Sequence, residues 1–206
     1  MTDRQEHWDS VYRSRQADEL SWFQAEPTMS LELIRALRPA PTSMVDVGAG
    51  ASALADRLLD DGIDAITIVD ISDQALDAVR ERLSGRVGAS IVAADILNWT
   101  PTRTWDLWHD RAVFHFLADA DDRAGYVATA TRAVNPGGAI VLGCFAADGP
   151  TQCSGLPVVR YGAEDLAACF SPVFELERAE DEVHRTPGGA TQHFTWVVMR
   201  RGSPSE

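Results

Sequence analysis

The sequence predicts an α/β fold built on a doubly wound, mostly parallel sheet. Two observations predict it: short apolar segments alternate with amphipathic helical segments, and an acidic residue follows a glycine turn at a fixed distance. The turn is Gly48-Ala49-Gly50, which directly follows the apolar segment at residues 44–47. Asp70 ends the next apolar segment, twenty residues after Gly50. This spacing is typical of α/β nucleotide-binding folds, in which one carboxylate holds the hydroxyls of a ribose.

Two helices are predicted ahead of the first strand. Trp8 and Tyr12 fall at helical spacing in a polar N-terminal segment. Pro27 suits the start of a second helix, whose apolar residues share one face. The adjacent aromatics Trp22 and Phe23 lie between the two helices, and we expect one of them to touch a ligand. The predicted organisation is a single domain over residues 1–206, with an N-terminal helical cap region at 1–40 and a nucleotide-fold core at 41–206.

The rest of the chain predicts a sheet of seven strands, all parallel except the last, with helices on both faces. Thr186-Pro187-Gly188-Gly189 predicts the hairpin that makes the last strand antiparallel. A loop with glycine and proline is expected at residues 148–157. Helices are expected after the glycine turn, after Ser72, at 121–134 and at 162–170. The predicted strands are residues 43–47, 65–69, 89–93, 105–108, 139–145, 173–184 and 191–200.

The composition limits the classes of partner and the location. The chain has 31 Asp and Glu against 18 Lys and Arg and no cluster of basic residues, which disfavours nucleic-acid binding. The N-terminus has no apolar signal core, and the longest apolar run, residues 139–147, is too short to span a bilayer. Three cysteines suit reduced thiols better than a disulfide framework. We therefore expect a soluble cytoplasmic protein with no membrane and no nucleic-acid partner, whose oligomeric state stays open.

Acidic residues at four strand ends narrow the type of nucleotide site. Asp46 lies two residues before Gly48, where its carboxylate suits a cationic amino group and disfavours a pyrophosphate. Asp70 ends the second strand, and Asp95 ends the third, where it suits an adenine amino group. Asp110 ends the fourth strand. Together with the closing hairpin, these residues separate the chain from the dinucleotide-binding folds.

This ordered set of motifs resembles the class I S-adenosylmethionine-dependent methyltransferases over nearly the whole chain. The resemblance implies a Rossmann-like fold, S-adenosyl-L-methionine as the methyl donor and S-adenosyl-L-homocysteine as the product. Residues 45–50 are similar to the family's first motif, and 135–138 to its turn before the fifth strand, while Ala51 and Ser52 stand where a third glycine is common. The residues expected to contact the donor are Trp22, Asp46, Gly48, Ala49, Gly50, Asp70, Ile71, Asp95, Ile96 and Asp110.

A dinucleotide-dependent oxidoreductase is the main alternative interpretation of the turn. The pattern Gly48-x-Gly50-x-x-Ala53 also fits the dinucleotide fingerprint. Four features argue against NAD(P) as the ligand: Asp46, Asp95, the short chain and the lack of a separate substrate domain. The methyltransferase interpretation is therefore preferred.

The remaining polar residues predict where a methyl acceptor binds. Ligands of open α/β sheets lie outside the carboxyl ends of the parallel strands, which brings residues from the fourth and fifth strands and the closing hairpin to one rim. No tight ligand spacing indicates a metal, so none is predicted. The catalytic candidates are His109, Arg111, His184 and Cys153, with His115 and His193 as further residues of the rim.

A finer resemblance concerns the acceptor. The segments Trp8-Asp9, Ser21-Trp22-Phe23-Gln24 and His109-Asp110-Arg111 resemble the thiopurine and halide/thiol methyltransferase group, although Leu156 replaces the middle proline of its Gly-Pro-Pro loop. This implies a small-molecule thiol or another soft or aromatic acceptor, held as a thiolate by Arg111 or a histidine. An oxygen acceptor would need a base, for which His109 or His184 is suitable. The N-terminal segment also resembles that of some lysine methyltransferases, so protein methylation is the alternative.

Overall fold

The computed structural model describes residues 2–203, in which helices and strands alternate as the sequence predicts. The helices are α1 Asp3–Ser14, α2 Thr28–Ala36, α3 Leu54–Asp60, α4 Asp73–Arg82, α5 Ala120–Ala133 and α6 Ala163–Ala168, with 3-10 turns at Ala17–Glu19 and Phe114–Phe116. The strands are β1 Ser43–Val47, β2 Ala65–Asp70, β3 Ala89–Ala93, β4 Trp105–Arg111, β5 Val134–Phe145, β6 Gln152–Cys153, β7 Leu156–Pro157, β8 Phe174–Arg185 and β9 Thr191–Arg201.

The main sheet has seven strands in the order β3-β2-β1-β4-β5-β9-β8. Strands β1 to β5 pair in parallel, whereas β9 is antiparallel to both of its neighbours. The predicted mostly parallel, doubly wound sheet with an antiparallel C-terminal strand is therefore confirmed. The strand order reverses between β1 and β4, and an open α/β sheet has its ligand crevice at the carboxyl ends of the strands at such a point.

Two clusters of buried apolar side chains cover the two faces of this sheet. Leu31 of α2, Leu58 of α3 and Leu76 of α4 belong to the cluster on one face. Tyr126 of α5 and Leu166 of α6 belong to the cluster on the other face. Burial on both faces explains why most residues of the central strands are apolar.

Strand β4 extends to Arg111, three residues beyond the predicted end at 108. Side chains alternate along it, so His109 reaches α2 while Asp110 reaches α5. These polar residues stay in the strand because their side chains are buried and hydrogen-bonded. The predicted loop at 148–157 also contains a short hairpin, formed by β6 and β7.

The N-terminal helix α1 docks on the start of α4. Asp9 accepts a hydrogen bond from the hydroxyl of Ser72 at 2.7 Å, and that hydroxyl caps α4 by accepting from the backbone of Ala75. This contact brings Trp8 and Tyr12 to the crevice. No helix within residues 2–203 is long and apolar enough to cross a membrane.

Candidate active site

Two adjoining cavities lie where the strand order reverses. The smaller has a volume of about 60 Å³ and the larger about 350 Å³. The residues that line both cavities are Tyr12, Trp22, Gly48 and Arg111. The indole of Trp22 packs edge to face against the rings of Trp8 and Tyr12, so the N-terminal segment forms one wall of the passage between the cavities.

The glycine turn is shaped by two close approaches. Gly48 has φ +63°, and a Cβ placed there would lie 1.9 Å from Cγ2 of Val113. Gly50 has φ +53°, and a Cβ there would lie 2.3 Å from the hydroxyl of Tyr12. Both positions therefore need glycine for conformation and for space. Gly48 lines both cavities and Ala49 lines the smaller one, whereas Gly50 lines neither cavity and acts through its backbone N–H.

Asp70 joins the turn to the end of β2. Its Oδ2 accepts from the backbone N–H of Gly50 at 2.7 Å, and its Oδ1 accepts from Ser72 at 2.8 Å. Burial raises the pKa of this carboxyl to about 6, although both hydrogen bonds work in the opposite direction. Each oxygen keeps one lone pair for a further donor, and Asp70 lines the larger cavity. The side chain can thus hold two ligand hydroxyls.

The wall next to Asp70 contains the other predicted nucleoside contacts. Ile71, Asp95 and Ile96 all line the larger cavity. Asp95 accepts from the backbone N–H of Leu97 at 3.0 Å, and its other oxygen lies 4.0 Å from a guanidinium nitrogen of Arg4. The structure therefore brings the acids that end β2 and β3 to one side of the larger cavity.

Asp46 and His109 form a buried pair beside the smaller cavity. Nδ1 of His109 lies 2.7 Å from Oδ1 of Asp46, and Nε2 of His109 lies 2.9 Å from the hydroxyl of Ser30. All three residues line the smaller cavity. Both nitrogens of the His109 ring are occupied, so His109 orients Asp46 and is not the free rim base that the sequence predicts.

Asp110 lines neither cavity, although the sequence predicts that it contacts the donor. Its side chain points to the opposite face of the sheet from His109. It accepts hydrogen bonds from the backbone of Val113 and Phe114 and from the hydroxyl of Tyr126. Burial raises the pKa of Asp110 to about 6. Asp110 thereby holds the turn after β4 and places Val113 against the glycine turn.

Arg111 lies between the two cavities with part of its guanidinium unpaired. Its Nη1 donates to the backbone carbonyl of Trp22 at 3.0 Å, and its Cζ lies 4.6 Å from the ring centroid of Phe194. The nitrogens Nε and Nη2 are buried and have no hydrogen-bond partner among residues 2–203. Burial lowers the pKa of Arg111, and Glu182 and Cys153 oppose that change.

The end of the larger cavity opposite Asp70 is apolar. Among the described residues, the one charged side chain at this end is that of Arg111. Cys153 of the β6–β7 hairpin also lies here, as the sequence predicts, but burial raises the pKa of its thiol to about 11. The thiol is therefore protonated at neutral pH. The apolar residues of this end are Phe116, Phe145, Leu156, Pro157 and Phe194.

The predicted rim of histidines is not assembled. Nε2 of His184 donates to the carbonyl of Ser21 at 2.8 Å, and His184 lines neither cavity. His115 is fully buried under the sheet end, where burial lowers its pKa to about 3. His193 is paired with Asp148 at the exposed surface. Within residues 2–203, no group of three or more His, Cys, Asp or Glu side chains is placed to hold a metal ion.

Some residues of the site were not identified from the sequence. Phe145 and Phe194 pair across β5 and β9 and cover the apolar end of the larger cavity. The rule that ligands lie at strand ends applies to both of them, because Phe145 ends β5 and Phe194 lies near the start of β9. Val113 was also missed, since its contact with Gly48 depends on the turn after β4.

Comparisons with known proteins agree with this geometry. Residues 45–140 match the family model of a methyltransferase domain. Nodulation protein S of Rhizobium tropici is 27% identical over 150 residues, which are 72% of this chain and 61% of that protein. The match therefore spans under two thirds of this relative's length.

Two solved structures superpose over almost the whole chain. One is the N-methyltransferase NodS of Bradyrhizobium japonicum WM9 in complex with S-adenosyl-L-homocysteine, with a TM-score of 0.74, 19% identity and coverage of 96% of this chain and 98% of that one. The other is described for the conversion of a disulfide bond into a thioacetal group during echinomycin biosynthesis, with a TM-score of 0.76, 20% identity and coverage of 98% and 93%. At these identities the likenesses show the fold alone.

Proposed function

We propose that the whole chain is a class I, S-adenosylmethionine-dependent methyltransferase that methylates a small-molecule nucleophile. The match of residues 45–140 to the family model of a methyltransferase domain supports this, as does the fold shared with a solved methyltransferase. The observation that supports this proposal is the lining of the larger cavity. One end has the acidic wall of Asp70 and Asp95, and the other end is apolar with Arg111. Such a cavity suits a donor at the acidic end and an acceptor at the apolar end.

The residues at the acidic end fit S-adenosyl-L-methionine. Gly48 of the glycine turn lines both cavities, and Asp70 keeps one lone pair on each oxygen for the ribose. Ile71 and Ile96 offer apolar surface for an adenine. Asp46 beside the smaller cavity suits the amino group of the donor. The relative NodS, solved with S-adenosyl-L-homocysteine, supports this assignment.

The donor supplies an electrophilic methyl group on a sulfonium, so the protein has to align the acceptor and exclude water. Trp22 and Tyr12 separate the cavities and restrict the path of a bound molecule. Among the described residues, neither a carboxylate nor a histidine lines the apolar end. The acceptor must therefore already be deprotonated when it reaches the methyl group. Arg111 favours this, because a nearby cation lowers the pKa of a thiol or an ammonium.

We propose a thiol or another soft or aromatic acceptor. The aromatic wall and the cation of Arg111 support it, since a thiolate needs a cationic neighbour and no general base. The comparisons give no support to the thiopurine and halide/thiol group in particular. The relative described for a disulfide-to-thioacetal conversion is consistent with sulfur chemistry on this fold.

An amine is the second candidate acceptor, because the solved NodS structure is that of an N-methyltransferase. A neutral amine also needs no base at the apolar end. Protein lysine methylation fits less well, since the acceptor end is an aromatic pocket and not an open acidic groove that would attract a basic protein surface.

The first test is calorimetric titration of the protein with S-adenosyl-L-homocysteine, with Asp70→Asn as the variant expected to bind more weakly. Methyl-labelled S-adenosyl-L-methionine is then supplied with a panel of thiols, phenols, amines and a cell lysate. Label in a small thiol or amine supports the proposal. Absence of binding to the wild-type protein overturns the methyltransferase function, and label found in lysate proteins alone overturns the small-molecule acceptor.

A further inference from the structure

We propose that the Nε–Nη2 edge of Arg111 binds a carboxylate of the methyl acceptor, so that the acceptor is an apolar or aromatic acid. This rests on the proposed function, because it assumes that the donor occupies the acidic end. The two nitrogens of this edge are buried and unpaired among the described residues, while Nη1 is already bonded to the carbonyl of Trp22. Buried N–H groups of a cation are costly to leave unpaired, and a ligand oxygen removes that cost.

This edge of the guanidinium can donate to two oxygen atoms of one group at the same time. Nε and Nη2 of an arginine point the same way and match the two oxygens of a carboxylate. The same edge is used elsewhere in this chain, where Nε and Nη2 of Arg200 donate to Glu177 at 2.9 and 2.8 Å. Arg35 binds Asp61 in the same manner. Arg111 offers this geometry without a carboxylate opposite it.

The chain does not supply that carboxylate itself. Glu182 is an acidic residue that acts electrostatically on Arg111, but its two oxygens accept from Gln24 and from the indole of Trp196, both at 2.8 Å. Asp46 is held by His109. The protein has a formal net charge of −13, yet no carboxylate of the described residues pairs with the Nε–Nη2 edge of Arg111. The free edge therefore suits a ligand carboxylate.

The location of Arg111 favours the acceptor as the source of this carboxylate. Its guanidinium lies over the ring of Phe194 and close to Cys153, which both line only the larger cavity at its apolar end. The α-carboxylate of the donor has the same chemistry and is the competing source, since Arg111 also lines the smaller cavity. The experiment separates the two.

The probes are 3-phenylpropanoate and 3-phenylpropan-1-ol, titrated into protein saturated with S-adenosyl-L-homocysteine. We expect the acid to bind about tenfold more tightly than the alcohol. Arg111→Lys keeps the charge but loses the two parallel N–H donors of the guanidinium edge, so it removes most of this preference. Arg200→Lys, which changes the same type of edge far from the cavities, keeps it. Equal binding of acid and alcohol to the wild type, or a preference that survives in Arg111→Lys, overturns the proposal.

A second arm tests the donor as the source. S-adenosyl-L-homocysteine has the α-carboxylate, and 5′-methylthioadenosine lacks it. We expect Arg111→Lys to change the affinity for the two compounds by the same factor, because any loss that follows from the contact with Trp22 does not depend on the α-carboxylate. A selective loss of affinity for S-adenosyl-L-homocysteine assigns Arg111 to the donor and overturns the proposal. Failure of both nucleosides to bind the wild-type protein contradicts the proposed function, which is a separate outcome.

Discussion

Nδ1 of the His109 ring lies 2.7 Å from Oδ1 of Asp46, across the two strands between which the sheet reverses its order. The second ring nitrogen is 2.9 Å from the hydroxyl of Ser30 on α2. A ring with Nδ1–H donating to the carboxylate has Nε2 free to accept from the serine. His109 is therefore a positioning residue: it fixes the orientation of Asp46 at the smaller cavity and does not itself meet a methyl acceptor.

The first prediction concerns this pair. His109→Leu removes the donor to Asp46, and we expect it to weaken binding of S-adenosyl-L-homocysteine about tenfold and to lower the free energy of unfolding by about 1–3 kcal/mol. His109→Asn is the matched control, because its amide nitrogen replaces Nδ1–H but does not reach Ser30. Calorimetry and urea unfolding measure the two effects. Equal affinities of the Leu and Asn variants would contradict the positioning role.

The second prediction concerns the space at Gly48. Gly48→Ala places a methyl group 1.9 Å from Cγ2 of Val113 at a positive φ, so we expect loss of most donor binding. Gly85→Ala is the control, since Gly85 has φ +79° and open space around a Cβ. It should cost only about 1–2 kcal/mol of unfolding free energy and leave affinity unchanged.

The double variant Gly48→Ala/Val113→Ala separates strain from steric clash. Removal of Cγ2 relieves the close contact, and we expect affinity for S-adenosyl-L-homocysteine to recover in part. Calorimetric affinities for the single and double variants are compared in a double-mutant cycle. Strictly additive losses would show that the contact between residues 48 and 113 is not the cause.

The predictability of the site from the sequence depended on whether a contact is local. The glycine turn and Asp70 were recognised because the turn and the end of the following strand lie only about 20 residues apart in the sequence. The fold that this spacing and the resemblance predicted is confirmed, and residues 45–140 match the family model of a methyltransferase domain. The pairing of Asp46 with His109 was not predictable, since it requires the register of β1 against β4, two strands that are distant in sequence.

The positions of the side chains that the structure places away from the cavities have a similar cause. His184 was expected at the rim from the direction of its strand, but its ring is held by the carbonyl of Ser21 in the N-terminal segment. Asp110 was expected to face the donor, but strand alternation directs it to Tyr126. Strand ends predict which residues come near a crevice, and side-chain direction is decided by partners that only the tertiary structure supplies. The donor contacts of Ile71, Asp95 and Ile96 stay predictions.

The third prediction concerns pH and the donor. The carboxyl of Asp70 has a pKa raised to about 6 by burial, and a ribose hydroxyl is best accepted by the ionised form. Affinity for S-adenosyl-L-homocysteine should therefore fall as pH drops below 6, with a dissociation constant about tenfold weaker at pH 5 than at pH 7.5. Calorimetry across this range measures it. Asp70→Asn should bind weakly at every pH, and a wild-type affinity that is flat between these values would contradict the assignment.

The fourth prediction concerns the docking of α1. Asp9→Ala removes the acceptor of the Ser72 hydroxyl, so we expect α1 to loosen and the walls formed by Trp8 and Tyr12 to lose their position. Trypsin should then cleave faster near Arg13, while affinity for S-adenosyl-L-homocysteine falls by about threefold to tenfold. Glu6→Ala, on the exposed side of the same helix, is the control and should change neither. Unchanged proteolysis in Asp9→Ala would contradict the docking role.

The fifth prediction concerns stability and Asp110. Burial raises the pKa of its carboxyl to about 6, above the ordinary value of about 3.9 in an unfolded chain. Between these two values the native state binds more protons than the unfolded state, so this group makes the free energy of unfolding fall as pH rises from about 4 to 6.

Asp110→Asn removes this proton uptake along with part of the hydrogen bonding to Val113, Phe114 and Tyr126. The variant should be less stable at each pH, and its slope against pH should be less negative than that of the wild type by up to about 1.4 kcal/mol per pH unit. Urea unfolding at half-unit steps measures the slopes. Asp64→Asn is the control, since Asp64 is exposed, and its slope should follow the wild type. Parallel slopes for Asp110→Asn and the wild type would show that Asp110 is already ionised in the native protein at acid pH, because its three donors would then outweigh its burial.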